Sequence, residues 1–238
     1  MFEEKLDLFS QLVTKDVINY KSDWRTPLED QIRLSSDRGG QAEDLDRCWR
    51  SSESVIRAVR HDMRLILAII GGNPHRFVPY VDLYRKASEQ AGRPVREIGV
   101  HSPGYVAESD EQARRDLFPH FKKIRDRLGR ERGWPPVTER DFENEIEHGS
   151  LYAGSPETAA RKIAKLFRTL GISRFQMKYS AGPMEHEKLV NSIELYGTNV
   201  IPLVRSLLSK PRIAGRSVHD GGAATTPASA PQIPGALP

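Results

Sequence analysis

Apolar residues recur at helical spacing in Phe2, Leu6, Phe9 and Val13, so the pattern predicts that the chain opens on an amphipathic helix. A second helix is predicted over Ser54 to Arg60. Met63 to Ile70 then reads as an apolar run, interrupted only by Arg64 and rich in β-branched residues, as suits a strand buried on both faces of a parallel sheet. Gly71-Gly72-Asn73-Pro74 breaks the chain before a helix from His75 to about Gln90, with Phe77, Val81 and Tyr84 on its inner side.

The same order recurs. Val95 to Ser102 with Gly104 to Ala107 reads as a strand region, and Asp110 to Gly129 as a helix. Trp134 to Ser150, which starts with Pro135-Pro136, reads as a long connection covering one end of the structure. At Gly154-Ser155-Pro156-Glu157 a helix start is well marked: Ser155 can cap, Pro156 suits the first turn and Glu157 meets the positive end of the helix dipole. That helix runs to Leu170, and Gly171 ends it. Arg174 to Ser180 is the last strand, broken by Ala181-Gly182-Pro183. The stripe Leu189, Ile193, Tyr196, Val200, Val204 and Leu207 predicts a long helix from about Met184 to Leu208. Beyond it, Pro211 to Pro238 is rich in Ala, Pro, Gly, Ser and Thr and is expected to be a disordered tail.

Strand, turn and helix repeating in this way imply right-handed βαβ units and a parallel sheet. A complete (β/α)8 barrel takes about 250 residues. Only three strands are legible in these 238 residues, so the α/β fold expected is part of a TIM-type barrel over residues 1–210, followed by the tail. One stretch fits no pattern. Arg33 to Val55, RLSSDRGGQAEDLDRCWRSSESV, shows neither strand alternation nor a helical stripe.

Composition narrows the function classes. At 38% hydrophobic the chain can fill a sizeable core, and its longest apolar run, Leu65 to Ile70, is far too short to cross a bilayer. No basic-then-apolar leader precedes the first helix, and the single cysteine, Cys48, cannot form an intramolecular disulfide. A cytoplasmic protein without a membrane partner is the expectation. The net charge of +4 arises from 36 basic and 32 acidic residues that are intermixed, which does not point to nucleic acid. In the most basic stretch, Lys122 to Arg132, the spacing of Phe121, Ile124 and Leu128 leaves the charges on a solvated helix face. The seven histidines are scattered and the one cysteine has no partner at ligand spacing, so no metal site is expected. Nucleophile-elbow, phosphate-loop and paired-carboxylate patterns are not found either.

Several blocks in order carry a family resemblance. Gly154-Ser-Pro-Glu-Thr158, Leu170-Gly-Ile-Ser-Arg-Phe-Gln-Met-Lys-Tyr-Ser180, His186-Glu-Lys-Leu189 and Ser192-Ile-Glu-Leu-Tyr-Gly197 together resemble the C-terminal end of luciferase-like flavin-dependent monooxygenases. Ile69-Ile-Gly-Gly-Asn-Pro-His-Arg-Phe77 and Gly99-Val-His-Ser102 are similar to earlier strand ends of that family. The match spans about residues 1 to 31 and 52 to 210. It implies the C-terminal half of a (β/α)8 barrel that binds reduced FMN at the C-terminal ends of its strands and uses O2 to oxidise a small organic substrate. A flavin reductase is the implied partner, and the implied task of the protein is to orient the flavin, hold its phosphate on N–H groups at a helix start and exclude water.

Two departures stand out. About four βα units that precede the first helix in family members are not in this sequence, and they supply much of the ring pocket. Where the family has a strand reading Trp-x-Gly-x-Gly-Gly before a Pro-Glu-Ser helix start, this chain reads Leu45-Asp-Arg-Cys-Trp-Arg-Ser-Ser-Glu-Ser54. Codons permitted for Arg33 to Ser52, read one nucleotide later, include Tyr-Pro-Pro-Thr-Glu-Glu-Asp-Lys-Leu-Arg-Ile-Trp-Ile-Gly-Val-Gly-Gly. Residues 33 to about 52 are therefore expected to be out-of-frame text between two compensating slips. Genes of close relatives encoding RLSSDRGGQAEDLDRCWR would refute this.

The candidate ligand-facing residues follow from the strand ends. His101 ends a strand-like run and is either a pocket residue or a hydrogen-bonded structural histidine. Gly71 and Gly72 either admit the cofactor to the backbone or form a plain tight turn. Ser52, Glu53 and Ser54 occupy the helix start where the family holds a phosphate, with an ordinary helix cap as the other role. Tyr179, Ser180 and Gly182 follow the last strand. His186 and Glu187 are read as surface capping residues, and no catalytic residue is assigned. Two functions stay open: a fragment of an FMN-dependent monooxygenase, inactive alone, or a non-catalytic partial barrel acting through another chain. Flavin binding separates them, and both predict an oligomer, because a sheet cut before its closing strands exposes an unpaired edge.

Overall fold

The computed structural model describes residues 2–32, 45–48, 51–180 and 183–209. In chain order the elements are α1 (Phe2–Thr14), β1 (Val17–Ser22), β2 (Arg25–Ile32), β3 (Leu45–Cys48), α2 (Ser52–Arg60), β4 (Arg64–Ala68), α3 (Val78–Gln90), β5 (Ile98–Val106) and α4 (Asp110–Arg132). They continue with α5 (Glu139–Glu147), β6 (Tyr152–Gly154), α6 (Pro156–Leu170), β7 (Arg174–Lys178), α7 (His186–Leu195) and α8 (Ile201–Ser209). A 3-10 turn, Pro74–Phe77, leads into α3, and a π turn, Tyr196–Val200, joins α7 to α8.

β3, β4, β5, β6 and β7 form one parallel sheet. β5 is its long central member. Leu65–Ala68 of β4 pair with Ile98–His101, β7 pairs with Gly99–Pro103, and β6 takes the C-terminal end, Gly104–Val106. Side chains alternate between the sheet faces. Leu65, Leu67, Ile69, Ile98 and Val100 turn to the helix layer and share a core with Val55 and Val59 of α2, Val81 and Tyr84 of α3, and Ile163 and Leu166 of α6. Each such side chain, fully buried, contributes about 1.5–3 kcal/mol. Tyr84 spans the layer, its hydroxyl donating to the Met63 carbonyl at 2.6 Å. Burial pushes this phenol up to about 12. A second core, built from Tyr105, Leu117, Phe142, Ile146, Leu151 and Ala153, packs α4 and α5 over the C-terminal end of β5 and over β6.

The legible strand runs and the α6 boundaries stand as read: Ser155 is the N-cap of α6 and Gly171, at φ 60°, its left-handed stop. Five readings are corrected. Residues 15 to 31 yielded no sequence assignment, yet β1 and β2 form an antiparallel hairpin closed by Asp23-Trp24. The stretch read as patternless holds β3, because pairing with the apolar β4 makes a strand of residues lacking alternation of their own; residues 33–44 and 49–50 lie outside the described residues. The connection from Trp134 to Ser150 contains α5, started by a reciprocal cap between Thr138 and Asp141. On α1, among the described side chains, Leu8 is buried and Leu6 of the apolar stripe packs on the core, whereas Phe2 and Phe9 of that stripe are exposed. The long last helix is also interrupted, just before Pro202, which has no N–H to continue the ladder. The expected tail lies outside the described residues.

Candidate functional site

The sheet face opposite the helix layer is the inner face of the barrel. In parallel pairing, residues in register point the same way, so Ile66, Gly99 and Arg174 form one row across the strands, and Ala68, His101 and Gln176 form the next. Pro103 and Lys178 continue towards the C-terminal ends. The Gly99 position confirms the geometry: a Cβ there would lie 3.2 Å from Ile66 Cγ1 and 3.5 Å from Arg174 Cβ. A closed TIM barrel fills this space with bulky branched side chains. Here the corresponding strip, the trough of this face, is made of the small Ala68 and Gly99 and the polar His101 and Gln176. His101 is half-buried, and Gln176 and Lys178 are exposed. Gln176 and Lys178 escaped the sequence reading, although period two from Phe175 and Met177, which pack on the helix side, marks them as inner-face residues.

Among the described residues the ends of β3, β4, β5 and β6 lead to helix starts; at α4, after β5, the Ser109 Oγ accepts the Gln112 N–H at 3.1 Å. At the end of β4, Gly72 takes φ 76°, which suits glycine alone, and its N–H donates to both carboxylate oxygens of Glu145 at 2.9 and 3.2 Å. At the start of α6, the Asp110 carboxylate accepts the Ser155 N–H at 2.6 Å and the Thr158 hydroxyl at 2.9 Å. Burial raises the Asp110 carboxyl, but these bonds and the Arg114 charge outweigh it and set the carboxyl below its ordinary value. At the start of α2 the cap is a hydroxyl: Ser51 Oγ accepts the Ser54 N–H at 3.1 Å and lies 2.9 Å from Ser54 Oγ. Ser52 and Glu53 beside it are exposed, Ser54 is half-buried, and Ser51 went unnoticed in the sequence. Tyr179 and Ser180 are exposed beyond β7, and Gly182 lies outside the described residues.

A flavin mononucleotide needs a cradle for its phosphate and a flat polar face for its ring. Hydroxyls and N–H groups at the α2 start suit the first, and the trough beside His101 and Gln176 suits one face of the second. Among the described residues no cluster of three or more His, Cys, Asp or Glu side chains could hold a metal, and no helix is long and apolar enough to cross a membrane.

Parallel strands with helices on one face, a polar inner face and helix starts at the strand ends define part of a (β/α)8 barrel. The sequence profile of luciferase-like monooxygenases matches residues 1–174, and the chain belongs to that family. Monooxygenase RslO1 from Streptomyces bottropensis superposes with a TM-score of 0.68 at 19% identity, covering 84% of this chain and 60% of its own. The oxygenating constituent of 3,6-diketocamphane monooxygenase from Pseudomonas putida, a type II Baeyer-Villiger enzyme solved with FMN, gives 0.62 at 20% identity over 85% and 62%. The coenzyme F420-dependent tetrahydromethanopterin reductase of Methanopyrus kandleri gives 0.59 at 16% identity over 84% and 62%. The chain thus spans about three fifths of the length of these solved structures. No curated protein matches the sequence.

Proposed function

We propose that this chain furnishes the phosphate-holding and one ring-facing part of an FMN-dependent monooxygenase that uses reduced flavin and O2 to oxidise a small organic substrate. The observation that carries this reading is the contrast among the strand ends. Glu145 and Asp110 place carboxylates on the N–H groups at Gly72 and Ser155, and the Ser109-capped start of α4 carries two acids, Asp110 and Glu111, whereas α2 is capped by the Ser51 hydroxyl and carries one, Glu53. The phosphate belongs at Ser51 to Ser54. The ring then lies along the trough, with His101 and Gln176 meeting its polar edge and Lys178 at the mouth. Family membership supports a flavin-type cofactor, and the FMN in the Pseudomonas putida neighbour favours FMN.

The flavin supplies the oxidative chemistry when bound. The residues of this chain hold it, orient it and keep one face dry, and a flavin reductase is the partner that would deliver it reduced. The second ring face falls to the remaining strands of the barrel. The test compares FMN with riboflavin, which lacks the phosphate, on this chain joined to the N-terminal half of a related barrel. FMN is expected to bind at least about 100-fold tighter, and Ser51→Ala with Ser54→Ala to remove most of that margin, since each lost bond to a charged group is worth about 1.5–3 kcal/mol. Equal affinity for the two flavins, or an unchanged margin in the double variant, would remove the phosphate site from α2.

A further inference from the structure

The turn at Gly71-Gly72 is held from outside its own βα unit. Its fixed point is Glu145, on the last turn of α5, whose carboxylate accepts the Gly72 N–H with both oxygens and the Ser150 N–H at 3.2 Å. Glycines make room for it on either side: a Cβ at Gly149 would collide with the carboxylate, and one at Gly71 would lie 3.9 Å from it. The C-terminal turn of α5 is itself pinned. The Lys162 ammonium, from α6, donates to the carbonyls of Glu145 at 3.2 Å, of Leu151 at 2.7 Å and of Ile146, and it sits 5.0 Å from the Tyr152 ring centre. A cation closing the carbonyl end of a helix both satisfies orphan acceptors and opposes the helix dipole.

We infer that Glu145 is a positioning residue for the flavin site, acting through Gly72, and that Lys162 keeps it aimed. Two consequences follow for the chemistry, given the reading that the β4 turn faces the flavin. The left-handed Gly72 is fixed before any ligand arrives, so the turn needs no ordering on binding. The carboxylate also occupies the Gly72 N–H, which could otherwise draw a phosphate away from α2. The β4 turn and the end of α5 are thereby coupled through the Glu145 side chain.

The test uses Glu145→Ala, Glu145→Gln and Lys162→Met, read first by amide hydrogen exchange of this chain without flavin. Glu145→Ala should speed exchange at Gly72 and Ser150 by about tenfold or more and leave the Ser155 amide, held by Asp110, unchanged. Glu145→Gln, which keeps the shape and one acceptor, should restore part of the protection, and it carries the test if the alanine variant does not fold. Lys162→Met should repeat the alanine pattern. Joined to an N-terminal barrel half, Glu145→Ala should weaken FMN about tenfold, with glutamine between it and the parent. Unchanged exchange at Gly72 would overturn the positioning role. Faster exchange with undiminished FMN affinity, while Ser51→Ala with Ser54→Ala still weakens FMN, would overturn this inference and leave the α2 phosphate site standing.

Discussion

Asp110 and Lys162 are charged groups that the fold holds by opposite means, and they respond oppositely to pH. The Asp110 carboxyl is lowered in the folded protein, so its contribution is present above the ordinary Asp value of 3.8 and is lost as the pH falls through the folded value. Asp110→Asn is expected to cost roughly 1–2 kcal/mol in urea unfolding at neutral pH, with parent and variant converging in acid. For Lys162, burial pulls the ammonium down to about 8, and the Glu145 charge draws it part of the way back. Its folded value lies below the ordinary 10.5, so the unfolded chain binds the proton more strongly between those limits. Stability of the parent relative to Lys162→Met should therefore rise as the pH climbs from about 8 towards 10, read as the difference in urea midpoints. A difference that falls over that range would mean that the carbonyls hold the ammonium more tightly than burial expels it. The Ser155 cap was legible locally, from Ser-Pro-Glu. Its partner Asp110 was not, because no local pattern says which helix start will face β6.

Elements were legible where a segment carried its own burial. Met63 to Ile70 announces β4 because Leu65 to Ile69 are all buried, and α6 announces itself through its caps and its inner stripe. The hairpin of β1 and β2 was hidden because its two-residue turn, Asp23-Trp24, contains no glycine and its strands are broken by register shifts. β3 was hidden because its partner supplies the apolar character. α5 had a signal that went unused: Thr138 three positions before Asp141, then Phe142 and Ile146 four apart. The inner-face role of Gln176 and Lys178 needed the register of β7 against β5, which depends on contacts distant in sequence. That close pairing has a weak point at Gly104, where a Cβ would lie 2.6 Å from the Tyr152 carbonyl oxygen and 2.8 Å from Met177 Sδ. Gly104→Ala is expected to destabilise the fold by about 1–3 kcal/mol, through separation of β6 and β7 from β5. A melting temperature within a degree of the parent would show that the sheet yields there without cost.

On the scale of the molecule, apolar residues face outward on several elements: Phe2 of α1 is 62% exposed, Ile32 of β2 78% and Ile70, just after β4, 44%. Such surface, with β3 paired on one side only among the described residues, favours association, and sedimentation at micromolar concentration should show little monomer. A compact monomer would contradict that expectation. The central claim is that the flavin site is shared, with the phosphate at the start of α2 and one ring face on β4, β5 and β7, and the other ring face on strands beyond these. FMN titration tests it most directly, followed by flavin fluorescence, with this chain alone and with the same chain joined to the N-terminal half of a related barrel. Micromolar or tighter binding is expected only of the joined protein, and an affinity at least about 100-fold weaker of this chain alone, whose described strands offer one ring face. Micromolar binding by this chain alone, or none by the joined protein, would contradict it.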